Sequence, residues 1–355
     1  MSSTPLTRSD RAAGAILGAL VGDALGLGPH WYYDLEEMRR DYGPWIKDYV
    51  DPQPDRYHGG MKGGQLSQAG IILTILLRSV VDRGGYDQAD FCDRLESEIL
   101  QKIDGTPMHG PGGYTSQSIR ELYQQRIKQG LHWSQTGGHA DTTEAAERAL
   151  VLGVRYALEP QKLAESVSTN TTLTQTDEML VAMTTAYCAV LGQLVAGEPL
   201  DEHISDKLMD LVRSGDLPFH TITKPGLRPP EKGDGQSPRA GHFSSPDALL
   251  AASFMAEAAH DPGIKIEPAW KVSLLYGMPC AVYFQFPAAY YLAARFANDF
   301  EAAVLNAING GGQNQARAIL TGALVGAQVG LSGIPQRWID GLEGHQEWIE
   351  LARKL

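Results

Sequence analysis

Gly14-Ala15-Ile16-Leu17-Gly18-Ala19-Leu20-Val21-Gly22-Asp23-Ala24-Leu25-Gly26 is the centre of the most apolar run in the chain, Ala12 to Gly28. Its glycines recur every four residues, a spacing that a helix gathers on one face, leaving a seam where another backbone can approach closely. A bilayer span needs about 20 uninterrupted apolar residues, and Asp23 breaks this run, so it reads as a buried core helix. The same device returns at Gly322, Gly326 and Gly330. Two glycine-faced helices are therefore expected at the centre of the fold, with their mutual contact left open.

Outward from these ends, apolar residues three and four apart mark further helices. They are expected over Ile71–Val81, Ala89–Ile103, Thr115–Gln129, Thr143–Tyr156, Pro160–Thr169, Asp177–Ala196, Ser245–Ala259, Ala288–Ala297 and Phe300–Ile308. No alternating β-branched run competes with them, so the fold class is all-α, a single globular domain over residues 1–355. Asp141 or Thr142, and Ser245 followed by Pro246, read as helix starts. A Pro/Gly-rich stretch at about 214–244, densest from Thr223 to His242, is expected to form a long loop: a lid, a binding loop or a disordered segment. Shorter glycine loops lie at Gly59–Gly64 and His109–Gly113.

The chain has 355 residues, 43% of them hydrophobic, enough for one core, and a formal net charge of −12. Nucleic acid and anionic membranes both attract clustered Lys and Arg, so neither is expected as a partner. A small-molecule ligand or substrate is, and a homo-oligomer remains open. Cys92, Cys188 and Cys280 show no metal or redox spacing and read as reduced thiols. The polar residues Met1 to Asp10 contain no apolar signal core, so a cytoplasmic location is expected.

Three blocks carry a family resemblance. The first is Gly18 to Gly26 as quoted. The second is Ser67-Gln68-Ala69-Gly70, then a helix and Arg83-Gly84-Gly85-Tyr86-Asp87. The third is Ala307-Ile308-Asn309-Gly310-Gly311-Gly312-Gln313-Asn314-Gln315-Ala316, followed by a small-residue helix ending Gly333-Ile334-Pro335. In order and distance they resemble the ADP-ribosylglycohydrolases, which implies that family's helical fold and a hydrolase activity on an N-glycosidic bond. The family's dinuclear magnesium site draws on a Thr-Asp-Asp-Thr helix and a Gly-Gly-Asp-Thr-Asp-Thr block. The corresponding places here hold Gln68, Ala69, Gln313 and Gln315, and the family's later Thr-His pair reads Thr174-Gln175. Magnesium needs anionic oxygen, so no metal site and no cofactor are expected. Similar losses occur in the lens J-crystallins, which the third block resembles.

The remaining chemistry points to a metal-independent hydrolase of an N-glycosidic or amide-like bond in a small polar or nucleoside-type substrate. The alternative is a non-catalytic, ligand-binding or crystallin-like structural protein, and magnesium-dependent ADP-ribosyl hydrolysis is a third reading. Acid/base work needs carboxylates, for which Asp23, Asp141 and Glu144 are the candidates; helix capping is the competing role for each. Gln68, Gln313, Asn314 and Gln315 form an amide group suited to a neutral polar ligand, or to filling a vacated metal cavity. Arg317 is a candidate for an anion or for Asp23. His30, Tyr33, Ser67 and Tyr283 are ligand candidates near the blocks, and Lys62 and His109 are candidates in the glycine loops. His58 and His139 read as surface histidines.

Overall fold

The computed structural model describes residues 6–220, 243 and 246–355, and the Pro/Gly-rich stretch lies mostly outside them. Sixteen α-helices form among the described residues: α1 (Arg8–Leu27), α2 (Leu35–Tyr42), α3 (Gln68–Arg83), α4 (Gln88–Glu98), α5 (Gln117–Tyr123), α6 (Glu144–Arg155), α7 (Pro160–Thr172) and α8 (Glu178–Ala196), then α9 (Ile204–Ser214), α10 (Ala251–His260), α11 (Val272–Tyr276), α12 (Val282–Arg295), α13 (Phe300–Ile308), α14 (Asn314–Val329), α15 (Gln336–Gly341) and α16 (His345–Ala352). Strands are absent there; only isolated bridges such as Tyr32 with Gly312 occur.

The two glycine-faced helices, α1 and α14, pack directly on each other through the centre of the molecule. A Cβ on Gly18 would lie 2.1 Å from the Gly322 carbonyl oxygen, and a Cβ on Gly322 the same distance from that of Gly18. No side chain fits between the backbones there, so glycine stands on both faces where Gly14 meets Gly326 and Gly18 meets Gly322, while Gly22 and Gly26 lie against Ala318 and Gln315. Helices α6 and α8 pack beside this pair, α12 and α13 flank α14, and α3 lies across α6. Helix α8 is long and apolar enough to cross a membrane by length and composition, yet 78% of its apolar window is buried inside the fold.

Several boundaries differ from the sequence pattern for local reasons. The helix expected from Thr115 is α only over Gln117–Tyr123 and continues as a π-turn over Gln124–Lys128, where Arg126 reaches Glu96 and the Leu131 carbonyl. The helix expected over Ala288–Ala297 begins earlier, at Val282, and carries Pro287 inside it, at the cost of the bond its nitrogen would have given to the Tyr283 carbonyl. Helix α6 starts at Glu144, and neither Asp141 nor Thr142 caps it. Ser245 lies outside the described residues.

Candidate functional site

The N-termini of α3, α6 and α14 converge on one cleft, and each is held by a contact from a distant part of the chain. Ser67 caps α3, its hydroxyl accepting from the Ala69 N–H at 3.1 Å. That hydroxyl donates to Asp23 Oδ1 at 2.5 Å, and the Ser67 N–H donates to Asp23 Oδ2 at 2.8 Å. Asp23 is fully buried on α1 and does not line the cleft. Burial pushes its carboxyl up to about 7, against the pull of these hydrogen bonds. Gln68 follows on the cleft wall, accepting from the Ser116 N–H at 3.1 Å and donating to the Thr115 hydroxyl at 3.3 Å.

Helix α6 is anchored by Gln175, whose oxygen accepts from the Ala145 N–H at 3.0 Å while its nitrogen donates to the carbonyls of Ala140 and Thr142 at 2.9 and 2.8 Å. This remote side chain does the work of the missing cap. Glu144, Glu147 and Arg148 then face the cleft from one side of the helix. The Thr142 hydroxyl donates to Glu144, and the Thr143 hydroxyl donates to Glu147 at 2.5 Å. Burial, and then the neighbouring Glu144, push the Glu147 carboxyl up to about 8; burial raises Glu144 as well. Arg148 is buried, donating to Asn170 Oδ1 at 2.8 Å, the Asn170 carbonyl at 2.9 Å and the Thr174 hydroxyl at 2.8 Å. All three of these partners are neutral, and burial pulls the guanidinium down to about 10.

The third wall comes from the loop before α14. Gln313 meets His30 Nε2 at 2.9 Å, His30 Nδ1 meets His58 Nε2 at 2.7 Å, and His58 Nδ1 meets the Gly112 carbonyl at 2.9 Å. Burial pulls His30 down to about 4 and, with the neighbouring imidazole, His58 to about 3. Gln315 donates to the Asp23 carbonyl at 3.2 Å. Tyr114, Ser116 and Ile119 add to the lining with Ala69, Ile72 and Ala316, and among the described residues the buried Ser116 hydroxyl has no hydrogen-bond partner. The cleft encloses about 530 Å³ continuous with solvent, but the centre of a water molecule can reach only about 40 Å³ of it. That is room for about three waters, since each needs on the order of 10–15 Å³ by this measure.

Of the candidates named from sequence, Glu144, His30, Ser67, Gln68, Gln313 and Gln315 line this cleft. The others lie elsewhere. Asp141 is exposed, and its carbonyl accepts from Val282. Lys62 is exposed and paired with Asp51. His109 is exposed on its loop, with φ 67°. Tyr283 is half-exposed, as is Tyr33. Asn314 donates to the carbonyls of Pro29 and Ile308. Arg317 donates to the carbonyls of Ala307 and Gly311 and to Gln285, so it ties loop to helix rather than meeting Asp23 or an anion. Sequence reasoning passed over Glu147, Arg148 and Ser116, and placed His58 at the surface. The signal for the first two was present: Glu144-x-x-Glu147-Arg148 puts two carboxylates one turn apart on a helix face.

Compared with known proteins, residues 4–355 match the family model described as ADP-ribosylglycohydrolase. The chain belongs to this family. An uncharacterized protein of Archaeoglobus fulgidus is 25% identical over 340 residues, covering 96% of this chain and 94% of that one. A solved structure titled ADP-ribosylglycohydrolase-related protein complex superposes with a TM-score of 0.61 at 20% identity, covering 98% of this chain and 97% of its own, which shows the fold.

The family's dinuclear magnesium site does not fit the groups found at its place. Magnesium prefers anionic oxygen in a near-octahedral shell. Ala69 offers no donor, both amide atoms of Gln68 are hydrogen-bonded, and the Gln313 and Gln315 amides are engaged with His30 and the Asp23 carbonyl. Among the described residues, no group of three or more His, Cys, Asp or Glu is placed to hold a metal ion.

Proposed function

We propose that this member of the ADP-ribosylglycohydrolase family is a hydrolase that cleaves an N-glycosidic or amide-like bond of a small polar or nucleoside-type substrate without a metal ion, using Glu144 and Glu147. The observation that carries this reading is a pair of carboxyls one turn apart, Glu147 buried and Glu144 partly buried, at a cleft with room for a few waters. Two acids in one low-dielectric site do not both ionise at neutral pH; one stays protonated. Glu147, pushed to about 8, holds that proton and serves as the general acid toward the leaving nitrogen. Glu144 is the base that takes a proton from water, and its carboxylate offsets positive charge developing on the sugar. Arg148 stabilises the ionised member, and Asp23 positions the α3 wall through Ser67.

A second reading, a binding or structural protein of the crystallin-like kind, is favoured by the small reach of the cleft and by amides hydrogen-bonded within the protein. The two readings separate in one assay. The full-length protein in excess EDTA is offered ADP-ribosylated peptides and a panel of nucleosides. Chelator-insensitive turnover that falls at least about a hundredfold in Glu147→Gln, the scale of general acid catalysis, supports the hydrolase. Absence of turnover on every substrate supports the binding reading, and turnover that EDTA abolishes and magnesium restores refutes metal independence.

A further inference from the structure

The buried sequence Gly112 carbonyl, His58, His30, Gln313 contains three short contacts. The structure sets Gln313 Oε1 against His30 Nε2, an assignment of amide O and N that rests on the hydrogen-bond network; in that orientation both ends of the chain are oxygens that can only accept. Three hydrogen bonds then need three protons, and two neutral imidazoles bring one each. The shortfall falls at the centre, where two bare ring nitrogens would face each other 2.7 Å apart. Two remedies exist. Either a third proton makes one ring an imidazolium, or the amide turns so that its NH₂ group faces His30 and supplies the missing donor.

The surroundings decide between them. His30 and His58 are 4% and 2% exposed, and an isolated charge at such depth is costly. Among the described residues, neither ring has an acidic partner within 4 Å. The rings of Trp31 and Tyr114 pack against His30, and that of Tyr57 packs against these two. Across the cleft stand Glu144, Glu147 and Arg148, with Asp23 behind Ser67. With Glu147 protonated and Arg148 positive, that face offers no surplus of negative charge. Turning the amide, by contrast, breaks no other hydrogen bond, because its second atom has no partner among the described residues.

We infer that at neutral pH Gln313 is held nitrogen-first against His30 and offers its carbonyl oxygen to the cleft, so that this wall accepts a hydrogen bond from a ligand N–H or O–H, and that uptake of one proton by the histidine pair reverses the amide and makes the wall a donor. The ligand half rests on the cleft being the binding site, as proposed above; the proton pattern does not.

Imidazole nitrogen NMR on the full-length protein with labelled histidine reads the pattern, with His30→Asn and His58→Asn used only to assign resonances. At pH 7.5 both rings are expected to carry their proton on Nδ1, with bare Nε2. A His30 proton on Nε2, or an imidazolium, overturns the inference even if the protein hydrolyses its substrate. An inert protein with the expected tautomers loses the hydrolase reading and keeps this one. In Gln313→Glu the wall can only accept, the third proton becomes obligatory, and the pair is expected to titrate about two units higher or more; an unchanged titration in a folded variant counts against the inference. Formamide, a donor small enough for the cleft, is expected to shift the His30 resonances, and N,N-dimethylformamide is not. Equal or reversed responses overturn the ligand half.

Discussion

Asp23 and Ser67 are joined twice, the serine hydroxyl donating to Oδ1 at 2.5 Å and its backbone N–H to Oδ2 at 2.8 Å. This pair couples the central helix α1 to the wall that carries Gln68 and Ala69. Asp23→Asn keeps the shape but turns an amide N–H₂ toward one of two donors. Leaving a buried group unsatisfied costs about 1–3 kcal/mol, and that loss is expected in denaturant unfolding at pH 7. Gly70→Ala acts at the same point, since a Cβ there would lie 2.3 Å from Asp23 Oδ2. Two variants as stable as the parent would show that the junction does not hold the wall.

Where Gly18 meets Gly322, the seam between α1 and α14 has no space for anything larger than glycine. Gly322→Ala puts a methyl group 2.1 Å from the Gly18 carbonyl oxygen, and backbone rather than a movable side chain must give way. Overpacking of this kind typically costs about 1–3 kcal/mol and sometimes more. The upper end or outright failure to fold is expected, read from soluble yield and thermal midpoint. Gly84→Ala serves as the control, because it has open space around it and only its left-handed φ of 73° to lose.

Much of this was legible in the chain itself. Glycine every four residues can only mean a close helix face, and both such helices proved to be the core pair. Periodicity located nine helical segments but passed over α2, which buries a single apolar residue, Met38, and α9, although Ile204, Leu208, Met209 and Val212 carry the helical spacing there. The cleft was harder. Gln68, Gln313 and Gln315 stood at positions marked by the three blocks, whereas Glu147 and Arg148 sit mid-helix where charged residues are normally solvated, and only tertiary packing buries them. Asp141 went the other way, an apparent N-cap left outside while Gln175, 30 residues beyond Ala145, satisfies the start of α6 in its place.

Acidity should set the stability profile. For a carboxyl raised on folding, stability is present below its unfolded value and is lost as pH rises to the folded one. That window runs from 3.8 to about 7 for Asp23 and from 4.5 to about 8 for Glu147. The histidines have the opposite sign: their lowered values remove stability as pH falls from 6.5 to about 4 for His30 and about 3 for His58. Between about 6.5 and 8 only the acids act, so stability is expected to decline there. Glu147→Gln keeps the acceptor for Thr143 and removes the charge. It should flatten the decline and be more stable than the parent at pH 8.5, because it removes the desolvation of a carboxylate that Arg148 only partly offsets. A parallel pH curve for the variant would contradict the assignment.

Calorimetry separates the donor chemistry of this cleft from that of a magnesium site. Titration of the parent with magnesium is expected to give no saturable heat at millimolar concentration, and the thermal midpoint should be the same in EDTA and in magnesium. A bound ion stabilises by about 2.7 kcal/mol at a hundredfold excess over its dissociation constant, so even moderate binding would be visible. Restoring acid at the second and third blocks in the combined variant Gln68→Asp, Ala69→Asp, Gln313→Asp and Gln315→Asp should raise magnesium affinity from this baseline if the four positions converge as their place around the cleft implies.

Gln175 is the most economical test of the α6 end of the cleft. Its side chain satisfies the Ala145 N–H and the carbonyls of Ala140 and Thr142 at once, and it touches neither Glu144 nor Glu147 by hydrogen bond. Gln175→Ala orphans three buried backbone groups, and at about 1–3 kcal/mol for each unsatisfied group, with water recovering part, a loss of about 3 kcal/mol is expected. Because the same bonds fix the start of α6, the carboxyl pair should loosen with it: Glu147 is expected to titrate closer to the usual carboxylate range as water enters, and any hydrolysis should fall through kcat more than KM. Gln175→Glu retains the acceptor for Ala145 but loses the two donated bonds, so it should fall between parent and alanine. If stability drops while the Glu147 titration stays fixed, α6 is held by its packing against α3 and α8 and the amide is only a cap.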